Sequence, residues 1–201
     1  MRDETQQPLR AAARALALGL VVLLMAVACS GGEDDDESFG GAEAVPGPVP
    51  SDVTFVDDVE GGVPAPDFSV DLIDGTAFTA SDLWADRPVV VLFTASWCEA
   101  CKAEHEEVAE VVAKHEGVAM LAVVPGDDAE PAAEYAKELE LDHPVAVGND
   151  DVWLNWAARE PPLVVLVAPG GTVIRGWPGG VEAQALAEEL DALYEGATSG
   201  R

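Results

Sequence analysis

Basic residues are scarce in this chain of 201 residues: 10 lysines and arginines stand against 38 aspartates and glutamates, for a formal charge of -28. A polyanion would be repelled from almost every face, so nucleic acid is excluded as a partner. The excess of acid speaks to solubility and surroundings rather than to fold. Cysteine is equally sparse. There are 3 in all, with no second CxxC, and His105, His115 and His143 are scattered along the sequence, which argues against a four-ligand zinc site. Long apolar runs are also missing. The uncharged run Ala15–Ala28 has 14 residues, short of the roughly 20 that span a bilayer.

What is present at the N-terminus reads as a targeting segment. Arg2, Arg10 and Arg14 precede the run "ALALGLVVLLMAVA", which has the length of a signal-peptide core. At its end "AVAC", Ala26–Cys29, resembles the lipobox of bacterial lipoproteins, with Ala26 where that motif prefers leucine. The resemblance implies that residues 1–28 are removed and that Cys29 becomes a lipidated N-terminus. The other outcomes are cleavage at an ordinary small-x-small site, leaving Cys29 as a free thiol, and an uncleaved signal anchor. From 29 to 62 the chain is rich in Gly, Pro and acid, with the run Glu33–Glu37, and reads as a flexible, self-repelling tether.

Residues 63–196 have the composition of one globular domain, followed by a short tail, 197–201. "DFSVDLIDGTAFTASDL" places two short apolar alternations around Asp74-Gly75, a hairpin signal. "RPVVVLFTA" is a continuous β-branched run, as expected of a strand buried on both faces. A helix is predicted from about Cys98 to His115, then a strand at "VAMLAVVP", a helix at "AEPAAEYAKELEL", a short strand at "HPVAVG" and a short helix at "DDVWLNWAAR". "PPLVVLVAPGGTVIRGWPGG" predicts an antiparallel hairpin, and "VEAQALAEELDALYEG" a closing amphipathic helix stopped by Gly196. Trp84, Trp153, Trp156 and Trp177 are assigned to packing, Met120 to a core strand, and His105 to a surface or partly buried helix position. The order of elements predicts an α/β sheet with helices on both faces.

Three stretches, "VPAPDFSVDLIDG", "VVVLFTASWCEACKAE" and "PPLVVLVAPGGTV", together resemble the TlpA/ResA/DsbE group of thioredoxin-fold proteins over about Val63 to Glu195. That group consists of extracytoplasmic, membrane-tethered thiol–disulfide oxidoreductases. The resemblance implies a thioredoxin fold, with a central mixed sheet flanked by helices, an N-terminal β-hairpin and a central insertion spanning "VAMLAVVP" to "HPVAVG". It implies no cofactor beyond a redox-active disulfide between Cys98 and Cys101, and no metal. It implies as partners the thiols and disulfides of exported proteins, and a membrane electron donor of the CcdA/DsbD kind.

Disulfide exchange needs an accessible thiolate, and Cys98 follows the buried strand at the start of a helix, where unpaired N–H groups favour negative charge. Cys101 lies three residues on, on the same helix face and one turn in. Cys98 is therefore the expected nucleophile and Cys101 the resolving thiol. A static disulfide is the structural alternative, though so short a loop contributes little chain entropy. By resemblance Glu104 is a functional glutamate that disfavours thiolate and passes protons, and Trp97 is the aromatic beside the first cysteine. Thioredoxin carries a buried acid six residues before its first cysteine, where this chain has Leu92. Pro162 matches the proline that is cis in this fold and faces the cysteines. The residue before it, which offers backbone groups to substrate, is here Pro161 and has no N–H to donate.

A peroxidase of the peroxiredoxin group would need Thr or Ser three residues before the reactive cysteine, where Ala95 stands. A copper-delivering protein of the Sco type uses CxxxC with a distant histidine, and this chain has CxxC. Within the redox reading two directions stay open, reduction of exported thiols, as in cytochrome c maturation, and installation of disulfides. Glu104 and Glu99 disfavour thiolate and so point to a low potential and to reduction.

Overall fold

A computed structural model describes residues 39–56, 61–126 and 128–195. The leader, Cys29 and the acidic run Glu33–Glu37 lie outside the described residues, as do Gly196 and the tail 197–201. Among the described residues the strands are β1 (Val63–Pro64), β2 (Ser69–Asp71), β3 (Ala77–Thr79), β4 (Val89–Phe93), β5 (Ala119–Pro125), β6 (Val145–Gly148), β7 (Leu163–Ala168) and β8 (Thr172–Pro178). The helices are α1 (Ala80–Leu83), α2 (Glu99–Val112), α3 (Glu130–Glu138), α4 (Asp150–Asn155) and α5 (Ala183–Asp191).

The β-branched run becomes β4, every residue of which is buried, at the heart of a six-stranded sheet of order β1-β8-β7-β4-β5-β6. β4, β5 and β6 run parallel, while β7 is antiparallel to β4 and β8 antiparallel to β7. Alternation along β4 splits its side chains between two layers. Val89, Val91 and Phe93 pack with Trp84, Val152 and Trp156, which come from the ends of α1 and α4. Val90 and Leu92 pack on Val108 and Val111 of α2 and on Leu186 and Leu190 of α5. On that second face Ala132, Tyr135 and Ala136 of α3 cover Ala122 and Val124 of β5. The result is the mixed α/β sheet of the thioredoxin fold, with helices on both faces as expected.

The N-terminal hairpin forms as read, β2 against β3, with Gly75 at φ 79° in the turn. Asp74 steadies that turn by accepting the Thr76 N–H at 2.9 Å. The β7–β8 hairpin turns through Gly170 and Gly171, both at positive φ. A Cβ on Gly171 would lie 2.8 Å from the Trp84 indole nitrogen, so only glycine fits there.

Within the span 29–62, expected to be a flexible tether, residues 39–56 instead form a strap packed on the domain. Val145 donates its N–H to Gly40 O at 2.7 Å, and Gly40 donates to Leu141 O at 3.1 Å. Phe39 packs on the cluster between α3 and the sheet. A short 3-10 turn, Ala42–Ala44, follows, and Ala42 donates its N–H to Asp74 Oδ2 at 2.7 Å. At the far end Phe55 is 4% exposed and packs on Tyr194, with ring centroids 5.0 Å apart and planes tilted by 51°. Val56 donates to Leu193 O, and Glu195 to Thr54 O. Two phenylalanines and these backbone pairs bury enough surface to order a segment whose average composition is that of a linker.

Candidate functional site

The site forms where β4 ends. Phe93 pairs with Leu163, and Leu163 pairs with Pro178. The loop leaving β4, the chain entering β7 and the chain leaving β8 therefore meet at one end of the sheet. Cys98, Pro162 and the segment Gly179–Val181 belong to those three connections.

Cys98 is the N-cap of α2, with extended backbone at φ -99° and ψ 99°. Its Sγ accepts the Cys101 N–H at 3.2 Å, a donor shared with Cys98 O at 3.0 Å, so one N–H of the helix start points at sulfur. Cys98 is half-buried and Cys101 is 0% exposed, and the two are joined in a disulfide with Cα atoms 5.2 Å apart. One sulfur is reachable and the other is sealed behind it. Trp97, immediately before, is 71% exposed and presents its indole to solvent. Leu92 is fully buried among apolar side chains, and no acid stands on that part of the strand.

Glu104 sits one turn past Cys101 and faces the loop after β8. Its Oε1 accepts the Val181 N–H at 2.6 Å. Burial raises its pKa above the usual carboxylate range, the Val181 N–H opposes that shift, and Glu107 and Glu182 add to it. The carboxylate packs on Gly180, at φ 108°, where a Cβ would collide with it. In the same loop Gly179 donates its N–H to Pro162 O at 2.8 Å. Residues 179–181 thus tie Glu104 to the proline connection. The Pro161–Pro162 bond is cis, and Pro162 is buried. Beside it lies a cleft of about 620 Å3 lined by Arg159, Glu160, Pro161, Leu163, Pro178 and Gly179.

Glu99 is exposed, and Lys102 reaches across to Glu138 of α3 at 2.8 Å, with Glu99 at 3.7 Å. That pairing raises the Lys102 pKa through the Glu138 hydrogen bond and charge. It links the outer side of α2 to α3.

A second group of polar residues lies inside the domain. His105, read above as a surface or partly buried helix residue, is 0% exposed. Its Nδ1 meets Tyr135 Oη at 2.7 Å, and its Nε2 meets His143 Nε2 at 2.7 Å. Tyr135 Oη meets Thr94 Oγ1 at 3.0 Å, and His143 Nδ1 lies 3.4 Å from Asp142 Oδ1. The histidines are scattered in sequence, yet the fold joins two of them. The local signal was the spacing of Cys101, His105 and Val108, the i, i+4, i+7 stripe of a buried helix face. His143 comes from a loop 38 residues away, and no local pattern announces it. Among the described residues no group of three or more metal-ligating side chains is assembled. No described helix is long and apolar enough to cross a membrane.

With this geometry in place, the likenesses to known proteins fall into one group. The chain is 25% identical to the thiol:disulfide interchange protein DsbE of Escherichia coli K12 over 138 residues, covering 67% of this chain and 74% of that protein. It is 28% identical to the thiol-disulfide oxidoreductase ResA of Bacillus subtilis over 142 residues, covering 69% and 79%. Among solved structures, MTB DsbF superposes with a TM-score of 0.56 at 27% identity, covering 62% of this chain and 93% of DsbF. A thioredoxin-family thiol:disulfide interchange protein from Chlorobium tepidum superposes at 0.58 with 18% identity, covering 68% and 99%, a likeness of fold. The Redoxin family matches residues 60–174, which hold β4, the cysteine pair, Glu104 and Pro162. The chain belongs to the Redoxin family, as a relative of the DsbE and ResA thiol–disulfide oxidoreductases.

Proposed function

We propose that this chain acts outside the cytoplasm as a thiol–disulfide oxidoreductase that reduces disulfides of exported proteins, held at the membrane by lipid on Cys29. The observation that carries the reading is a reachable Cys98 at the start of α2, disulfide-bonded to a sealed Cys101. In the reduced chain the Cys98 thiolate attacks one sulfur of the substrate disulfide, forming a mixed disulfide and releasing the other sulfur as thiolate. Cys101 then loses its proton and attacks Cys98 Sγ. The second substrate thiolate leaves and the intramolecular disulfide re-forms. Two electrons pass to the substrate, and a membrane electron donor of the CcdA/DsbD kind restores the dithiol.

Direction rests on Glu104. A carboxylate held one turn from the pair disfavours thiolate, stabilises the disulfide relative to the dithiol and lowers the potential. Cytochrome c maturation is one setting that needs such a reductant, and the likeness to DsbE and ResA agrees with it. The opposite direction, disulfide installation, is favoured by a different observation. The N-cap position of Cys98 and the Cys101 N–H on its sulfur stabilise thiolate, which raises the potential.

Equilibration of the purified chain with glutathione buffers, together with a thiolate-absorbance titration of Cys98, decides between them. The reductant reading expects a potential on the thioredoxin side, around -270 mV, and a Cys98 pKa close to that of a free thiol. A potential near about -120 mV with a strongly depressed Cys98 pKa would overturn it in favour of the oxidant.

A further inference from the structure

Cys101 must gain a proton each time the pair is reduced and lose one each time the disulfide re-forms, yet its side chain has no exposure to solvent. One helical turn later, on the same buried face, His105 begins a run of polar groups through the interior. Neighbours at this spacing lie with Cβ atoms about 5–6 Å apart. We propose that Thr94, Tyr135, His105, His143 and Asp142 form a proton conduit serving Cys101 from inside the domain, with Tyr135, His105 and His143 as positioning residues for the resolving step. The proposal rests on the reading of Cys101 as the resolving thiol.

One assignment of the protons satisfies every contact in this chain. Asp142 is a carboxylate and accepts from His143 Nδ1–H, which leaves His143 Nε2 bare. That nitrogen accepts from His105 Nε2–H, so His105 Nδ1 is bare in turn and accepts from the Tyr135 hydroxyl. The Tyr135 oxygen accepts from Thr94, which stands at the end of β4 four residues before Cys98. Every donor therefore points from the active-site end towards Asp142. The far end opens to water, because Asp142 and His143 line a groove of about 280 Å3 together with Ala44, Pro46, His115 and Glu116.

In the resolving step one proton leaves Cys101 Sγ for the Thr94 hydroxyl oxygen, the acceptor at the head of this chain, and the Thr94 proton passes on to Tyr135. Each member takes a proton on one side and gives one on the other, and one proton leaves at Asp142 to water. Cys101 Sγ, now a thiolate, attacks Cys98 Sγ and expels the substrate thiolate. No imidazolium needs to persist, which suits a site where burial and the neighbouring His143 lower the His105 pKa to about 3. Burial likewise raises Tyr135 to about 12, with Glu138 and Glu106 as the charges that add to it and Lys102 paired to Glu138 nearby. A merely structural role would satisfy the same hydrogen bonds, but it makes no claim on the rate or pH profile of one cysteine.

The test uses the full chain in a Cys29→Ser background, reduced and mixed with 5,5'-dithiobis(2-nitrobenzoate) in a stopped-flow instrument. Attack by Cys98 releases the first nitrothiobenzoate, and resolution by Cys101 releases the second. In Tyr135→Phe and His143→Gln the second release should slow roughly tenfold or more at neutral pH while the first is unchanged. The second phase of the variants should also rise about tenfold per pH unit, because deprotonation must await hydroxide. Second phases as fast as in the parent chain, both phases slowed alike, or a slowing that is the same at every pH would each overturn the conduit. Those results would leave the oxidoreductase reading standing. A parent chain that released no nitrothiobenzoate at all would end that reading and the conduit with it.

Discussion

Phe55 tests whether the strap is part of the fold or a tether resting on it. Its ring is 4% exposed and packs on Tyr194, with its edge near Gly117, the residue whose positive φ of 81° turns the chain out of the α2 region. Phe55→Ala removes that ring. Buried Phe→Ala changes cost about 3–5 kcal/mol, and the low end applies because a peripheral strap can partly collapse or detach to relieve the cavity. About 3 kcal/mol in a domain of this size lowers the melting temperature by about 6–12 °C. The α2 helix separates Gly117 from Cys98, and its 14 residues span about 21 Å. Thiol–disulfide exchange measured below the transition should therefore be unchanged. The assay is thermal and guanidinium unfolding by tryptophan fluorescence, paired with reduction of insulin at 25 °C. A melting temperature within about 2 °C of the parent would refute the reasoning, because it would mean that residues 39–56 add nothing to the domain they touch.

Three further outcomes are expected. Stability should fall by about 2 kcal/mol between pH 7 and pH 5 from His105 alone, because the unfolded chain binds a proton near the ordinary 6.5 whereas burial holds the folded ring near 3. That loss begins as pH drops through the unfolded value, and denaturant midpoints should show it vanishing in His105→Gln. Cys101→Ser should retain attack by Cys98 but trap substrate as a mixed disulfide, with turnover on insulin down by about a hundredfold or more, read by non-reducing gels and turbidity. Glu104→Gln should stabilise the fold at neutral pH and lose that advantage below about pH 4.5, because burial disfavours the charged acid and the amide oxygen still accepts the Val181 N–H. The same variant should raise the redox potential, and an unchanged potential would remove Glu104 from the argument on direction.

Much of the active end was legible because it is local. Five consecutive apolar residues mark β4 as a strand covered on both sides, and Cys98 follows within the length of one loop. Asp74-Gly75 marks its turn by chemistry that acts over three residues. The strap was hidden for the opposite reason. Glycine, proline and acid dominate 29–62, and a composition average conceals the two phenylalanines that dock it against Tyr194 and α3. Their partners lie far along the sequence and become neighbours only once the sheet is built. The His105–His143 contact has the same origin. The helix stripe could place His105 inside, but only the loop before β6 decides what it meets there.

The two cysteines end with unlike surroundings, and on the proposed mechanism this sets their order of reaction. At Cys98 the orphan N–H groups and the dipole of α2 favour negative charge on sulfur, and water reaches it. At Cys101, one turn in, solvent is gone and an unpaired thiolate would carry a desolvation cost. On the same helix the titratable neighbours are pushed in opposite directions, Glu104 upward and His105 downward, so both shift towards their uncharged forms. His105 can therefore hold no lasting counter-charge beside Cys101 at low cost, and Glu104, an acid, has none to offer. A thiolate there is tolerable only for as long as it takes to attack Cys98, whereas a thiolate at Cys98 is reached both by water and by the start of the helix. On the proposed mechanism the nucleophile is thus chosen by where α2 begins, and the resolving thiol by how quickly its proton can leave and return.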